Sequence, residues 1–305
     1  MAVMDLRIMT EPQFGSDYKT QLTLAKASED MGFSAFFRSD RFATTAAAAG
    51  QGLTDAWTTL AGLARETSAI RLGTMTTAAT VRLPGLLAVQ VSQVDQMSDG
   101  RVELGFGAGS GETEHRAFGF PLPPDVNARW EEQLGMLYAL WNLPPGKSLT
   151  HRGTYYRWEE FPALPESPQG RVPVIISGLE APRAFVLAAD FAHEYNAPFA
   201  SVAEAAAQFE LVRSVAHYRD DLVYSATVSV CVGRDAAAVA QRAETAGLDI
   251  AALRKHGVVG TPGEVVDAIM RYAEIGLSRL YLHVHDMTDL DQLELVASEV
   301  RPQLA

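Results

Sequence analysis

Eight times along the chain a short apolar run that reads as a buried strand is followed by a stretch of helical periodicity, and this alternation constrains the fold more than any other feature. The strand-like runs lie at 6–9, 35–37, 71–75, 102–106, 174–177, 192–195, 227–232 and 280–284. Several lack polar alternation, as parallel strands do when both faces are covered. Between them apolar residues return at helical spacing: Trp130, Leu134, Leu137 and Trp141 share one face, as do Leu87, Val91 and Val94, and again Val266, Ile269, Met270 and Ala273. Trp57 and Trp130 read as core. Helix starts agree, with Thr54 as a cap before Asp55-Ala56-Trp57, and Thr261-Pro262-Gly263-Glu264 placing Pro in the first turn. Eight such units without a linker predict one domain over 1–305, a closed (β/α)8 or TIM barrel rather than an open doubly wound sheet. Two segments exceed the minimal unit. An Ala/Gly-rich stretch at 43–52 is an insertion after the second strand. A second insertion, at 143–173, follows the fourth strand and its helix and carries six prolines with Tyr155, Tyr156, Trp158 and Phe161.

Composition narrows the class. At 305 residues and 48% hydrophobic content, the chain can bury a large core. Its 25 basic and 37 acidic residues leave a net charge of -12, which argues against binding nucleic acid or a membrane surface. A lone Cys231 excludes an intramolecular disulfide, fits a reducing compartment and reads as a buried small hydrophobe on a strand. The first residues carry no basic stretch followed by an apolar run, and no run of about 18 apolar residues occurs, so neither a signal peptide nor a membrane span is expected. A cytoplasmic protein acting on a small molecule is the expectation.

In a barrel of this type function belongs to the loops at the C-terminal strand ends. The first strand ends in Thr10-Glu11-Pro12-Gln13-Phe14, the second in Arg38-Ser39-Asp40-Arg41 and the third in Thr74-Met75-Thr76-Thr77. The fourth leads into Gly105-Phe106-Gly107-Ala108-Gly109-Ser110-Gly111, whose glycines, spaced two apart, let a backbone approach a flat ring or a phosphate. Glu112-Thr113-Glu114-His115 follows, where His115 is equally a structural and a catalytic candidate. The fifth strand ends in Ser177-Gly178-Leu179 and the sixth in Glu194-Tyr195-Asn196. In the eighth, His283 and His285 alternate with Leu282 and Val284, so both lie on one face. Their spacing with Asp286 is not that of a zinc site, and no metal is expected.

This set of strand ends resembles the luciferase-like flavin and deazaflavin oxidoreductases, especially their coenzyme F420-dependent branch. The resemblance runs through most of the chain. It is densest in Gly32-Phe33-Ser34-Ala35-Phe36-Phe37-Arg38-Ser39-Asp40, Asp55-Ala56-Trp57-Thr58-Thr59-Leu60-Ala61, Ile70-Arg71-Leu72-Gly73-Thr74, Gln93-Val94-Asp95-Gln96-Met97-Ser98-Asp99-Gly100-Arg101-Val102-Glu103-Leu104-Gly105 and Glu114-His115-Arg116-Ala117-Phe118-Gly119. It implies a barrel that holds a flavin or deazaflavin ring across its mouth. Asp40 would sit at the ring edge; many relatives follow it with His, where this chain has Arg41. Met75-Thr76 would form a bulge built from a non-proline cis peptide behind the ring. Gly107, Ala108, Gly109 and Ser110 would line the ring or the cofactor tail. Ser177, Gly178 and Leu179, leading into a helix N-terminus, would bind a phosphate with help from Arg183, and Asn196 would join the cofactor site from the next strand end.

The activity implied is hydride transfer between coenzyme F420 and a small organic substrate, with Asp40 and His115 as acid/base candidates and Tyr195 and His283 behind them. F420 carries a phosphate and an oligoglutamate tail, for which Arg38, Arg41, Arg82 and Arg183 are the sources of local positive charge. An FMN-dependent monooxygenase using reduced flavin and oxygen is the alternative, and a ring-binding protein without turnover a third. Members of the family are often dimers, so a homodimer is possible.

Overall fold

Short strands buried on both faces are stable only when a helical coat covers them outside and side chains fill the interior. The computed structural model describes residues 4–42, 53–109, 111–178 and 182–304. In it the chain runs β1 (Asp5–Thr10), α1 (Tyr18–Asp30), β2 (Ala35–Asp40), α2 (Ala56–Glu66), β3 (Arg71–Ala78), α3 (Pro84–Met97) and β4 (Val102–Gly107). There follow α4 (Glu112–Phe118), α5 (Val126–Trp141), the strands β5 (Ser148–Arg152) and β6 (Arg157–Pro162), β7 (Val174–Ser177), α6 (Pro182–Phe191), β8 (Glu194–Pro198) and α7 (Val202–Val215). The last stretch holds β9 (Val223–Val232), α8 (Ala236–Thr245), α9 (Ile250–His256), β10 (Gly257–Gly260), α10 (Pro262–Glu274), β11 (Arg279–Val284) and α11 (Leu290–Leu295). Strands β1, β2, β3, β4, β7, β8, β9 and β11 pair in parallel, and the β1–β11 and β8–β9 pairings close the barrel. The eight expected strands are these eight.

Four details differ from the sequence expectation. The insertion at 143–173 carries an antiparallel hairpin, β5 with β6. Before the last barrel strand, β10 pairs in parallel with the upper end of β9, from Gly257 opposite Ser229 to Gly260 opposite Val232; a four-residue Gly-Val-Val-Gly segment is too short to stand out in a periodicity reading. The buried face of α10 is Val265, Ala268, Ile269 and Tyr272, one residue from the expected stripe, because Val265 and Val266 are both apolar and only packing chooses between them. At the start of α2 the cap is Asp55, whose carboxylate accepts from the Thr58 N–H at 2.7 Å, rather than Thr54. The segment 43–52 lies outside the described residues. Among the described residues no helix is long and apolar enough to cross a membrane.

The interior is layered. At the bottom Arg7 donates to Glu103 at 2.7 Å and to the Tyr281 hydroxyl at 3.2 Å, and Arg71 closes on the same Glu103. Alongside, Arg279 donates to Glu194 at 2.6 Å. Burial opposes ionisation of Glu103, and Arg7 and Arg71 overcome it, holding its carboxyl below the usual range. Above lies an apolar plug of Met9, Phe37, Met75, Ile175 and Tyr281, with the Phe37 and Tyr281 rings edge to face at 5.0 Å. The cavity at the mouth lies above this plug, with Met9 and Met75 at its base. Because Arg7 and Glu103 are both almost fully buried, Glu103→Ala takes from Arg7 its buried carboxylate partner and should cost about 3–5 kcal/mol of stability, read as a lower urea midpoint. A midpoint within experimental error of wild type would show that the floor does not depend on this pair.

Candidate active site

The strand ends enclose a cavity of about 510 Å³ above the apolar plug, a size suited to a small-molecule site. The wall from β3 and β4 is poor in side chains: Met75, Thr76, Ala78, Gly107, Ala108 and Gly109 line it. The Met75–Thr76 peptide bond is cis, and the β3 register shifts against both neighbours there, the irregularity the family resemblance implied. Gly105 permits it, since a Cβ at that position would run into the Thr74 carbonyl oxygen. Gly109 has φ +85°, which a side chain would resist, and a Cβ on Gly107 would sit 2.9 Å from the Thr76 hydroxyl. Ser177 and Gly178 continue this wall at the end of β7. A flat ring fits such a surface.

Opposite, a polar chain rises from the strand ends. Ser39 donates to Gln13, Gln13 donates to Glu11 at 3.0 Å, and the other Glu11 oxygen faces His283 Nε2 at 3.3 Å. Glu11 and Ser39 line the cavity; His283, almost fully buried, stands behind Glu11 and under the Phe199 ring, edge to face at 5.3 Å. Burial pushes the Glu11 carboxyl above its ordinary range, against the opposing pull of Gln13 and Arg41. Burial, with the neighbouring His285, pushes His283 down to about 3. His283 Nδ1 has no partner among the described residues, and its Nε2 makes a polar contact with Glu11 at 3.3 Å that lacks hydrogen-bond geometry. A carboxyl with a raised pKa in a cleft is a candidate for proton transfer.

The third side comes from α4 and α5. Glu114 accepts from the Phe42 N–H at 2.7 Å and lies 3.8 Å from Arg41, tying the end of β2 to α4. His115 Nδ1 is 2.9 Å from the Gly111 carbonyl, which leaves Nε2 as an acceptor. Thr80 Oγ1, His115 Nε2 and Trp130 Nε1 are all buried without a partner among the described residues, and all three residues line the cavity. These three atoms, from the end of β3 and from α4 and α5, are free to meet the polar edge of a ligand. Trp130 is thus buried, as its helical spacing suggested, and a wall of the site as well.

Several expected site residues lie elsewhere. Asp40 is buried off the cavity wall and fully engaged: Arg82 grips both of its oxygens at 2.6 Å, Thr77 donates at 2.9 Å, and Arg82 also bonds Asp55 at 2.6 Å. Asn196 is buried in a network with Ser177, Ser225 and Thr227 rather than on the wall. Tyr195 points outward, donating to Gln208 at 2.9 Å, and burial raises its pKa further, so it is packing rather than an acid. Arg38 is buried and spends its N–H groups on Gln21, Thr54, Thr59 and the Ser39 carbonyl, with burial lowering its pKa to about 10. Arg183 pairs with Glu131. Of the four arginines, only Arg41 reaches the cavity. Ser110 and Leu179 lie outside the described residues. Glu11, Gln13 and Glu114 were legible as polar residues beside strand ends; only burial distinguishes them.

These placements set two outcomes. Asp40→Asn weakens the grip on Arg82 and should cost about 1.5–3 kcal/mol of stability, seen as a lower melting temperature; an unchanged melting temperature would return Asp40 to the list of acid/base groups. His283, depressed in the folded state from 6.5 to about 3, stabilises the fold above its unfolded pKa, and that contribution is lost as the pH falls from 6.5 towards 3. The melting-temperature gap between wild type and His283→Asn should therefore narrow on acidification from about pH 7 to about pH 4; a constant gap would contradict a buried neutral imidazole.

Comparison with known proteins agrees with the architecture. A family model described as luciferase-like monooxygenase matches residues 4–249. An F420-dependent glucose-6-phosphate dehydrogenase from Intrasporangium calvum is 25% identical over 317 residues, spanning 91% of this chain and 92% of that protein. Among solved structures, a monooxygenase from Streptomyces bottropensis superposes with a TM-score of 0.82 at 20% identity, covering 99% of this chain and 100% of that one. An F420-dependent secondary alcohol dehydrogenase in complex with an F420-acetone adduct gives a TM-score of 0.82 at 17% identity, covering 100% of both chains. The two structures share the closed barrel with this chain, at identities that speak to fold alone. On the family match, the chain belongs to the luciferase-like monooxygenase family, whose members are oxidoreductases that bind a flavin or deazaflavin.

Proposed function

We propose that the protein is an F420-dependent oxidoreductase that moves a hydride between the deazaflavin and a small organic substrate. The observation that carries this reading is the two-sided cavity: a side-chain-poor wall from Met75 to Gly109 faces Glu11, a carboxyl of raised pKa held by Gln13 and His283. The F420-dependent relative, 25% identical across 91% of the chain, supports the choice of cofactor. The residues present fit such a group, because the glycine wall leaves room for a flat ring and Trp130 and His115 offer a donor and an acceptor to its polar edge. Ser177 and Gly178 are the candidates for holding its phosphate.

When bound, the cofactor supplies hydride exchange at its reactive carbon. The chain's own residues manage the proton. Glu11 takes the hydroxyl proton as a substrate alcohol is oxidised, and returns it in reverse; its raised pKa lies nearer neutrality, where both directions are feasible. Gln13 orients the carboxylate by donating to one oxygen, with His283 Nε2 in polar contact with the other. His115, which lines the same cavity and whose Nε2 has no partner among the described residues, is the second acid/base candidate. Asp40 acts as a positioning residue: through Arg82 it holds the end of β2, from which Ser39 and Arg41 enter the cavity.

Parallel titration with F420 and FMN tests the cofactor. Tighter binding of F420 is expected; FMN binding with no F420 binding would move the protein to the flavin monooxygenase reading. Glu11→Gln should lower turnover by about 10²–10⁴-fold while F420 affinity stays near wild type. Wild-type turnover in that variant would transfer the proton role to His115.

A further inference from the structure

The β5–β6 hairpin contributes no residue to the cavity wall among the described residues, yet its tip ends beside the mouth. One carboxylate holds that tip on α5. Glu132 accepts from the N–H groups of Thr154 at 3.1 Å, Tyr155 at 3.0 Å and Tyr156 at 2.9 Å, and lies 3.1 Å from His151 Nε2. Several backbone donors converging on one anion make a firm joint. The Trp158 and Phe161 rings, 4.7 Å apart, pack on the first turn of α3, where a Cβ on Gly85 would meet Phe161 at 3.1 Å. At the other end of the insertion Gln169 donates to Asp95 at 2.7 Å and accepts from Arg71 at 2.8 Å. The insertion therefore follows the length of β3, from Arg71 near the floor to the mouth.

Gln133, the next residue on α5 and fully buried, connects this joint to the cavity. Its Nε2 donates to the Ala79 carbonyl at 2.8 Å and to the Tyr156 hydroxyl at 2.7 Å. A carbonyl only accepts, so the amide nitrogen must be the atom that faces Ala79. The amide oxygen is left buried without a partner among the described residues, a cost that an apolar side chain of the same shape would avoid. What the glutamine adds at this place is its two donated bonds.

Ala79 opens the loop between β3 and α3. On that loop Thr80 and Val81 line the cavity, and Arg82 grips Asp40. The glycine wall leans on the same point: the Ala79 N–H donates to the Gly107 carbonyl at 2.9 Å, and a Cβ at Gly109 would run into Thr80 Oγ1 and the Ala78 Cβ. A shift at Ala79 is thus passed to Thr80 on one side and to Gly107 and Gly109 on the other.

We propose that Gln133 is a positioning residue that couples the hairpin tip to the cavity, fixing the loop from Ala79 to Arg82 against the glycine wall where the ring binds. It acts through Ala79 and is absent from the wall itself. This role rests on the cofactor reading of the cavity.

Two variants test it. Gln133→Met keeps the length of the side chain and removes both bonds, while Tyr156→Phe removes the link to the hairpin and keeps the bond to Ala79. Amide hydrogen exchange of the cofactor-free protein is read at 77–82 and, as a control, at 5–10 in β1. Both variants should speed exchange at 77–82 by about 3–10-fold, Gln133→Met the more, as expected for a lost hydrogen bond, with β1 unchanged. In F420 titrations the dissociation constant should rise by about 3–10-fold at unchanged stoichiometry, whereas partial unfolding would lower the stoichiometry at an unchanged constant. Wild-type exchange at 77–82 in Tyr156→Phe, or a rise that merely keeps step with β1, would overturn the coupling even if Gln133→Met fails to fold. Faster exchange with an unchanged dissociation constant would overturn the positioning role. Wild-type protein that binds FMN and not F420 would remove the F420 reading, and the same titration run with FMN would decide the role of Gln133. Wild-type protein that binds neither would remove the cofactor reading and this role with it, a failure seen without any variant.

Discussion

The structure depends on a buried charge cluster at the floor of the barrel. Arg7 on β1, Glu103 on β4, Arg71 on β3 and Tyr281 on β11 meet there, and Arg279 on β11 pairs with Glu194 on β8. Charges removed from water are costly one by one and tolerable only together. The cluster therefore favours a single register: a slip of one residue in β1 would turn Arg7 out and leave Glu103 short of a partner. Strands from opposite sides of the barrel are joined by this requirement, and the apolar plug closes above a cluster in which Glu194 Oε1 alone of the floor carboxylate oxygens is left without a partner among the described residues. Specificity of closure is the gain, at some expense in stability relative to an all-apolar floor.

Above the plug the two sides of the mouth are built by different means. Backbone makes one wall, and it exists because glycines at 105, 107 and 109 let β3 and β4 approach more closely than side chains allow. Side chains make the other, and their orientation is inherited from neighbours: Ser39 fixes Gln13, Gln13 fixes Glu11, and Glu11 meets His283. Asp40 belongs to neither wall. Its grip on Arg82, which also reaches the α2 cap Asp55, locks the top of β2 to the first turn of α2. That clamp allows Ser39 and Arg41, on either side of Asp40, to be presented at fixed positions.

The parts of the fold that were legible in the sequence are those written in continuous apolar runs. The eight barrel strands appear as such, and the amphipathic faces of α3 and α5 follow the 3.6 period. Where two adjacent residues are both apolar, as at Val265 and Val266, periodicity cannot choose the buried one. For the site, strand-end position located the right loops but not the right groups. Asp40 stood out as an acid at a strand end, yet its partner Arg82 lies 42 residues away and on no shared element. Glu11 has the same local signature, and its difference from Asp40 is environmental: burial without a cation close enough to grip it, so that its carboxyl is raised. Trp130 fitted a core stripe and fills it, while it also lines the cavity, a double role that a one-dimensional pattern cannot express.

The environment of Glu11 shapes its chemistry through desolvation. Burial raises Glu11 and keeps His283 neutral, with the Phe199 ring packed edge to face on the imidazole. A ligand that covers Glu11 would remove more water from it and favour its protonated form further, the direction a group needs in order to retain a proton taken from a hydroxyl. Arg41, the one Lys or Arg on the cavity wall among the described residues, lies on the side of Glu114, and its pull on Glu11 opposes the shift without reversing it. The raised carboxyl is thus the outcome of burial prevailing over a single, partly exposed cation.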